Sequence, residues 1–281
     1  MTYNNNQKER LFEKVIDISI RPFQRAIITH TCLDTLLYCP VMKVSIGRPW
    51  LTILIDDYSR RILGFYLSLN PPSYVSNLAV IRESVKKYSR IPNSFVISSG
   101  KEFSNVHFQS FLFQFGCTVS FYPKDSKNEN NIEALFRTVK NFVIYGSEPR
   151  KSLWTFESLE KSLSLLLDEV YDKEPNNRLG TSPRETFQTS IQSGEIPNRY
   201  IRYDEEFKIL TYPIVERKVI PGRGIMINSF YYWTKEFVQP AIEMKKVTVK
   251  YDPVDLDIAF VYINGGWKKL KKDSKRQKTN F

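Results

Sequence analysis

RAIITHTCLD (Arg25–Asp34), WLTILID (Trp50–Asp56) and RRILGFYLSL (Arg60–Leu69) are the runs that decide the fold. Each is rich in β-branched and aromatic residues and of strand length. The last two are joined by the polar turn DYSR, the pattern of an antiparallel meander. Downstream, YVSNLAVIRESVKKYS (74–89) carries Val75, Leu78, Val80 and Val85 at helical spacing, and Pro92 closes it. SFVISSG (94–100) reads as a short buried strand stopping at Gly100. HFQSFLFQFG (107–116) reads as helix, CTVSFYP (117–123) as strand, and the stretch from about Glu129 to Tyr145 as a longer helix. The order βββαβαβα predicts an α/β sheet with helices on both faces, spanning residues 23–150.

Residues 1–22 are polar, with one short helical pattern, LFEKVIDI, that Pro22 separates from the core, so they read as an N-terminal arm. Residues 151–200 read as a helical connector. They hold SLEKSLSLLLDEVYD and a helix start at SPRETF, with Ser182 as cap, Pro183 at the first helical position and Glu185 at the third. From about Glu206 the chain turns strand-rich. TYPIVERKVI, GIMINSFYYW, KKVTVKYDP and IAFVYINGGWKKL alternate apolar and polar residues between turns, which predicts a small closed β-barrel over residues 201–267. Tyr231, Tyr232 and Trp233 are expected in its core. Residues 268–281 form a basic tail; between 268 and 278 it has seven Lys/Arg and one Asp. That tail is either a solvated end or a nucleic-acid contact.

Composition narrows the function. The 281 residues carry 41 Lys+Arg against 30 Asp+Glu, a net charge of +11, which favours a polyanionic partner. No stretch of about 18 apolar residues exists and MTYNNNQKER lacks an apolar signal core, so the expectation is a cytoplasmic protein that neither spans a membrane nor is secreted. Cys32, Cys39 and Cys117 form no CxxC pair, and with only His30 and His107 a structural zinc site is not expected.

Several segments, in order, resemble the signatures of Mu-type transposases, the group containing TnsB and TniA: RPFQRAIITHTCLD, GRPWLTILIDDYSRRILGFYLS, NPPS, SSGKEF, NNIEALFRTVKNF, SPRETF and VTVKYDPVDLDIAFVY. The resemblance runs from about Arg21 to Trp267. It implies an RNase H-like core followed by a Mu-type C-terminal β-barrel, and phosphoryl transfer at two Mg²⁺ ions held by two Asp and one Glu. Laid on this chain, the first Asp position falls on Thr29 in IITHTCLD, the second on Ser98 in SSGKEF, and the Glu on Glu133 in NNIEALFRT. Glu133 follows Ser98 by 35 residues, the separation the family's spacing implies, so the register is fixed.

Two anionic ligands are therefore replaced by hydroxyls, which are weak partners for Mg²⁺. Glu133 is the one metal-ligand position retained, insufficient for a metal pair. It borders the apolar residues Ile132, Leu135, Val139 and Phe142, so a partly buried, inward position is expected. Asp34 is five residues past Thr29, on the opposite face and about 16 Å away if the strand continues. Asp56, Asp57 and Glu102 are poor substitutes as well.

For DNA binding, Arg137 and Lys140 share a helix side with Glu133, although Glu133 and Arg137 would equally form an i,i+4 ion pair. Lys101, Lys268, Lys269, Lys271 and Lys272 complete the expected contacts. The sequence-based expectation is a bacterial, nucleoid-associated, DNA-binding transposase-family protein that is catalytically inactive. The alternatives are an active Mg²⁺-dependent transposase, or a remnant, since only about 22 residues precede the core where end-binding modules would stand. The partners implied are DNA, an active transposase paralogue, an AAA+ ATPase and further copies in a homo- or hetero-oligomer on DNA.

Overall fold

The structure is a computed structural model that describes residues 19–97, 105–121, 127–145, 153–194, 199–239 and 242–277. The chain divides into two compact units, Met1–Tyr203 and Asp204–Phe281.

In the first unit, β1 (Arg25–Cys32) is the central strand of five. It pairs antiparallel with β4 (Trp50–Asp56), which pairs antiparallel with β5 (Ile62–Ser68). On its other side β1 pairs parallel with β6 (Ser94–Ile97), and β6 with β7 (Thr118–Phe121), giving the order β5-β4-β1-β6-β7. A short hairpin, β2 (Leu37–Cys39) with β3 (Val44–Gly47), lies between β1 and β4 and has no counterpart in the sequence reading. The crossovers are α1 (Tyr74–Tyr88) and α2 (Val106–Gln114), followed by α3 (Lys127–Tyr145). Ser73 caps α1 by accepting from the Val75 amide at 3.2 Å, with Ser76 completing a capping box. An antiparallel meander continued by two parallel strands is the RNase H-like arrangement that the resemblance implies.

Pleating separates two layers. Ile27, Leu51, Ile53, Ile55 and Val96 pack with Leu135, Val139 and Val143 of α3 in one core. Ala26, Ile28 and Leu54 alternate with them and are fully buried. The first core also takes in Leu159 and Leu163 of α4 (Phe156–Leu165), and Leu166 and Leu167 of the π-helical turn Leu166–Tyr171 that extends it. On the other face α1 crosses β5 so closely that a Cβ on Gly64 would meet the Val80 carbonyl oxygen at 2.9 Å.

Charge ties the later helices to the sheet. Asp172, 2% exposed, accepts from Arg61 and from Arg184 of α5 (Pro183–Gln192) at 2.9 Å each. The Arg61 guanidinium lies 4.8 Å over the Phe187 ring.

The second unit opens with α6 (Glu205–Thr211), where strand character was expected to begin. Asp204 caps it from the Phe207 amide at 2.9 Å, and Glu205 and Glu206 favour its first turn. Seven strands follow: β8 (Ile214–Lys218), β9 (Ile225–Ile227), β10 (Phe230–Trp233), β11 (Lys246–Tyr251), β12 (Ala259–Ile263), β13 (Gly266–Lys269) and β14 (Lys271–Gln277). They form two sheets, β14-β10-β9 and β13-β12-β11-β8, around one core containing Val219, Tyr232, Phe237, Val249 and Val261. Among the described residues the small barrel expected from sequence is built as these two sheets on a shared core. Asn264 and Gly265, both at positive φ, make the two-residue turn between β12 and β13.

The tail read as an end of the chain is strand through Gln277, paired to β10. Leu270, 2% exposed, anchors it between β13 and β14.

Gly64→Ala is expected to destabilise the first unit by about 1–3 kcal/mol, because backbone of α1 must move. Asp172→Ala is expected to cost about 3 kcal/mol by leaving the half-buried Arg61 and Arg184 without their shared carboxylate. Urea unfolding of each variant against the parent chain measures both losses, and an unchanged midpoint for either would contradict the packing described.

Candidate functional site

Thr29 sits at the centre of the sheet, opposite Ile53 of β4, and is 7% exposed. Ile27 and Ile53 place its face of β1 on the core that α3 covers. The last described rung between β1 and β6 is Ile28 with Ile97. In sequence Thr29 and Ser98 follow directly on that pair, but Ser98, Lys101 and Glu102 lie outside the described residues.

Glu133 departs from expectation: it is exposed on α3. The apolar stripe of that helix is Leu135, Val139 and Val143 with Ile132, Phe136 and Phe142 beside it. At 3.6 residues per turn Glu133 falls roughly 120° from the stripe's centre, so bordering the apolar residues in sequence does not turn it inward. The structure therefore brings β1 and α3 into one core without burying the Glu133 carboxylate between them.

The other carboxylates are engaged elsewhere. Asp56, fully buried, accepts from the amides of Phe23 and Ser59 at 2.8 Å and from the Ser59 hydroxyl at 2.7 Å. Burial pushes its pKa up to about 6 against those hydrogen bonds. It pairs with Ala26 and so belongs to the sheet face opposite Thr29. Asp57 is held by Arg25 and Arg60.

Asp34 corrects the face assignment made from an odd offset. β1 ends at Cys32, so alternation no longer applies, and Asp34 reaches α3, where Lys140 Nζ lies 3.6 Å away; Arg48 is at 3.9 Å. Two cations already face that carboxylate. His30, hydrogen-bonded to Thr52 through Nδ1 at 2.9 Å, has its pKa lowered to about 4 by burial and is neutral near pH 7.

Among the described residues no group of three or more His, Cys, Asp or Glu side chains could hold a metal ion. A buried threonine and an exposed glutamate do not fit a two-Mg²⁺ centre, which needs several converging anionic oxygens. A cavity of about 360 Å³ opens beside α3, lined by Ile132, Leu135, Thr138, Tyr171 and Asn176, and includes neither Thr29 nor Glu133.

The cations expected to meet DNA fall into two sets. Arg137 is exposed, and no ion pair joins it to Glu133 among the described residues; Lys140 is turned toward Asp34. In the second unit Lys268 bridges to Glu236 at 2.9 Å, and Lys272 reaches Asp257 at 2.8 Å while lying 4.2 Å over the Phe230 ring. The Thr234 hydroxyl and Lys268 together hold the Glu236 pKa down at about 2. Lys269 is 3.9 Å from Glu205, and Lys271 is exposed. Much of this basic run therefore stabilises its own fold.

A different surface escaped the sequence reading. On the outer face of the four-stranded sheet, Lys218 of β8 stands directly opposite Lys246 of β11, and one rung further Thr248, Tyr262 and Trp267 cross β11, β12 and β13. Tyr231, Tyr232 and Trp233 drew attention instead. Tyr232 is fully buried, Tyr231 is 8% exposed and Trp233 packs on the core. The alternation in IVERK and KVTVK held the signal, since same-parity residues share a face.

Residues 27–146 match the TnsB C-terminal domain, and residues 208–270 the Mu transposase C-terminal domain. The chain is 24% identical over 272 residues to the transposase for transposon Tn552 of Staphylococcus aureus. That alignment covers 90% of this chain and 55% of the relative, so the chain spans about half the length of the curated relative it matches. Among solved structures, the HTLV-2 integrase catalytic core domain in complex with magnesium (trimeric form) is similar at 12% identity and a TM-score of 0.45, over 60% of this chain and 99% of that one. The simian T-cell lymphotropic virus intasome in complex with PP2A regulatory subunit B56 gamma is similar at 10% identity and a TM-score of 0.48, over 94% of this chain and 82% of that one. With both domain matches in the order in which the two folded units occur, the chain belongs to the Mu/TnsB-type transposase family.

Proposed function

We propose that this chain is a DNA-binding member of its family that acts in transposition without catalysing strand transfer, with Thr29 and Ser98 in two of the three carboxylate positions. The observation that carries the reading is Thr29: a buried threonine on the central strand, while Asp56 and Asp57 are bound to other groups and Asp34 faces Lys140 and Arg48. Two divalent ions facing one exposed carboxylate lack the charge and the clamp that in-line displacement needs. The net charge of +11 supports a nucleic-acid partner. An active transposase paralogue, an AAA+ ATPase and further copies of the chain complete the proposed assembly, in the bacterial cytoplasm. No helix among the described residues is long and apolar enough to cross a membrane.

The catalytic half is tested by incubating the purified chain with pre-cleaved transposon-end DNA, a target plasmid and Mg²⁺ or Mn²⁺. No joined product is expected; a product that disappears in Glu133→Gln overturns the inactive reading. Thr29→Asp combined with Ser98→Asp is expected to bind Mn²⁺ more tightly than the parent chain by titration calorimetry.

The binding half is tested by duplex mobility shift across salt concentrations. Arg137→Ala and Lys271→Ala are each expected to weaken binding independently of sequence and to lower the salt slope by about 1. A parent chain that shifts no duplex at low salt removes the DNA-binding reading.

A further inference from the structure

We infer that the outer face of β8, β11, β12 and β13 binds unpaired nucleotides, with bases stacking on Tyr262 and Trp267 and phosphates held by Lys218 and Lys246. The inference rests on the DNA-binding reading and deepens it by naming single-stranded DNA as the form this surface takes.

The four strands lay out the face as three rungs. Lys218 and Lys246 form the first; Glu216, Thr248, Tyr262 and Trp267 the second; Ile214, Lys250, Phe260 and Lys269 the third. Tyr262 is 47% exposed, and neither it nor Trp267 is among the aromatic residues that pack on the core of the unit. Their rings stand 5.3 Å apart at 60°, so they present two differently tilted π surfaces on neighbouring strands. The third rung of this face is covered: Phe260 is 3% exposed and stacks with Tyr212, and Lys250 donates to Ile209 at the end of α6, whereas the lysine rung and Tyr262 of the aromatic rung stay exposed.

Trp267 is held from beneath. Lys250 is 6% exposed, donates to the Ile209 carbonyl at 2.7 Å and lies 5.2 Å from the Trp267 ring centroid. A cation over the indole fixes its orientation before any ligand arrives. Tyr262 has no such clamp and remains the freer of the two.

The cationic rung is the second observation. Like charges directly opposed across antiparallel strands destabilise the sheet. Lys218 and Lys246 are both exposed and opposed in this way, and Lys245 stands next to them, its carbonyl accepting from the Val219 amide at 2.9 Å. A bound phosphate relieves that repulsion. Lys246 is a diagonal neighbour of Tyr262, about 7–8 Å away by strand geometry, which lets one nucleotide place its phosphate at the lysines and its base on the tyrosine. Glu216, at the outer end of the aromatic rung, repels phosphate there and leaves the lysine rung as the backbone's path.

Stacking selects the form of DNA. In a duplex the base faces are already stacked on one another, whereas single strands offer them to aromatic side chains whatever the sequence. A purely electrostatic surface would have no use for the two rings.

The test is fluorescence anisotropy of the full chain with labelled oligo(dT) and with a blunt duplex of equal length. Tyr262→Ala is expected to weaken oligo(dT) binding about 5- to 100-fold and leave the duplex unchanged, while Tyr262→Phe retains it. K218A with K246A is expected to weaken oligo(dT) and reduce its salt slope by about 1 to 2. Thermal unfolding checks each variant, and Tyr262, being exposed, is replaced without disturbing the core.

If Tyr262→Ala binds oligo(dT) as tightly as the parent chain, the stacking assignment is overturned, even where K218A with K246A weakens it. If the lysine variant binds unchanged, the phosphate path is overturned. A chain that binds duplex but no oligo(dT) refutes this inference alone; one that binds neither refutes the DNA-binding reading beneath it.

Discussion

The two-sided pairing of β1 is the constraint on which the first unit depends. Antiparallel to β4 along its length and parallel to β6 from Arg25 to Ile28, the strand is paired on both sides through Ile28, and the side chains of Ala26 to Thr29 are buried alternately on its two faces. A substitution on such a strand cannot be accommodated by a shift in register, because sliding by one residue would exchange Ile27 and Ala26 between the two faces. Thr29 therefore occupies the place its sequence position dictates. A threonine is tolerated there because a β-branched side chain suits a central strand, and its single hydroxyl is far less costly to bury than an unpaired carboxylate.

That difference in burial cost organises the rest of the electrostatics. The carboxylates buried near the β4–β5 turn are each surrounded: Asp56 by amides and a hydroxyl, Asp57 by Arg25 and Arg60, Asp172 by Arg61 and Arg184. Removing any one donor leaves charge in a low-dielectric setting, so these groups hold the turn and the later helices against the sheet. Carboxylates fixed in this way are already neutralised by arginines or hydrogen-bonded to amides, and they are buried away from solvent. Abundant buried acid near a central sheet is thus a feature of the scaffold, distinct from an acidic site open to a metal.

Much of this was legible in the sequence because hydrophobic periodicity carries it. RAIITHT, WLTILID and SFVI read as strands, and the apolar residues Ile132, Leu135, Val139 and Phe142 marked α3. What periodicity could not give was the orientation of residues flanking a stripe: Glu133 borders Ile132, Leu135, Val139 and Phe142 in sequence, yet its side chain is exposed. The β2–β3 hairpin was missed because LYC and VSIG are short and paired locally with a shifted register. The strand after Leu270 lay outside that reading for a different reason. In KKLKKDSKRQ both faces are polar, so no period-2 contrast appears, and the order comes from a distant partner, Tyr231 to Trp233 on β10, with Leu270 as the one apolar anchor.

The same residues show why a count of positive charge is a poor guide to where a polyanion binds. Lys268 and Lys272 lie in the most basic stretch of the chain, yet each has a carboxylate within 3 Å. A phosphate competing for them must first displace Glu236 or Asp257, and the Lys268–Glu236 pair is reinforced by the Thr234 hydroxyl. Lys218 and Lys246 lie in sequence segments of mixed charge that attract no notice, yet the sheet sets them side by side with like sign. Binding free energy depends on the difference between free and bound surroundings of each cation. An opposed lysine pair gains more from an arriving anion than a lysine already neutralised, so register across strands locates the favourable site where composition along the chain does not.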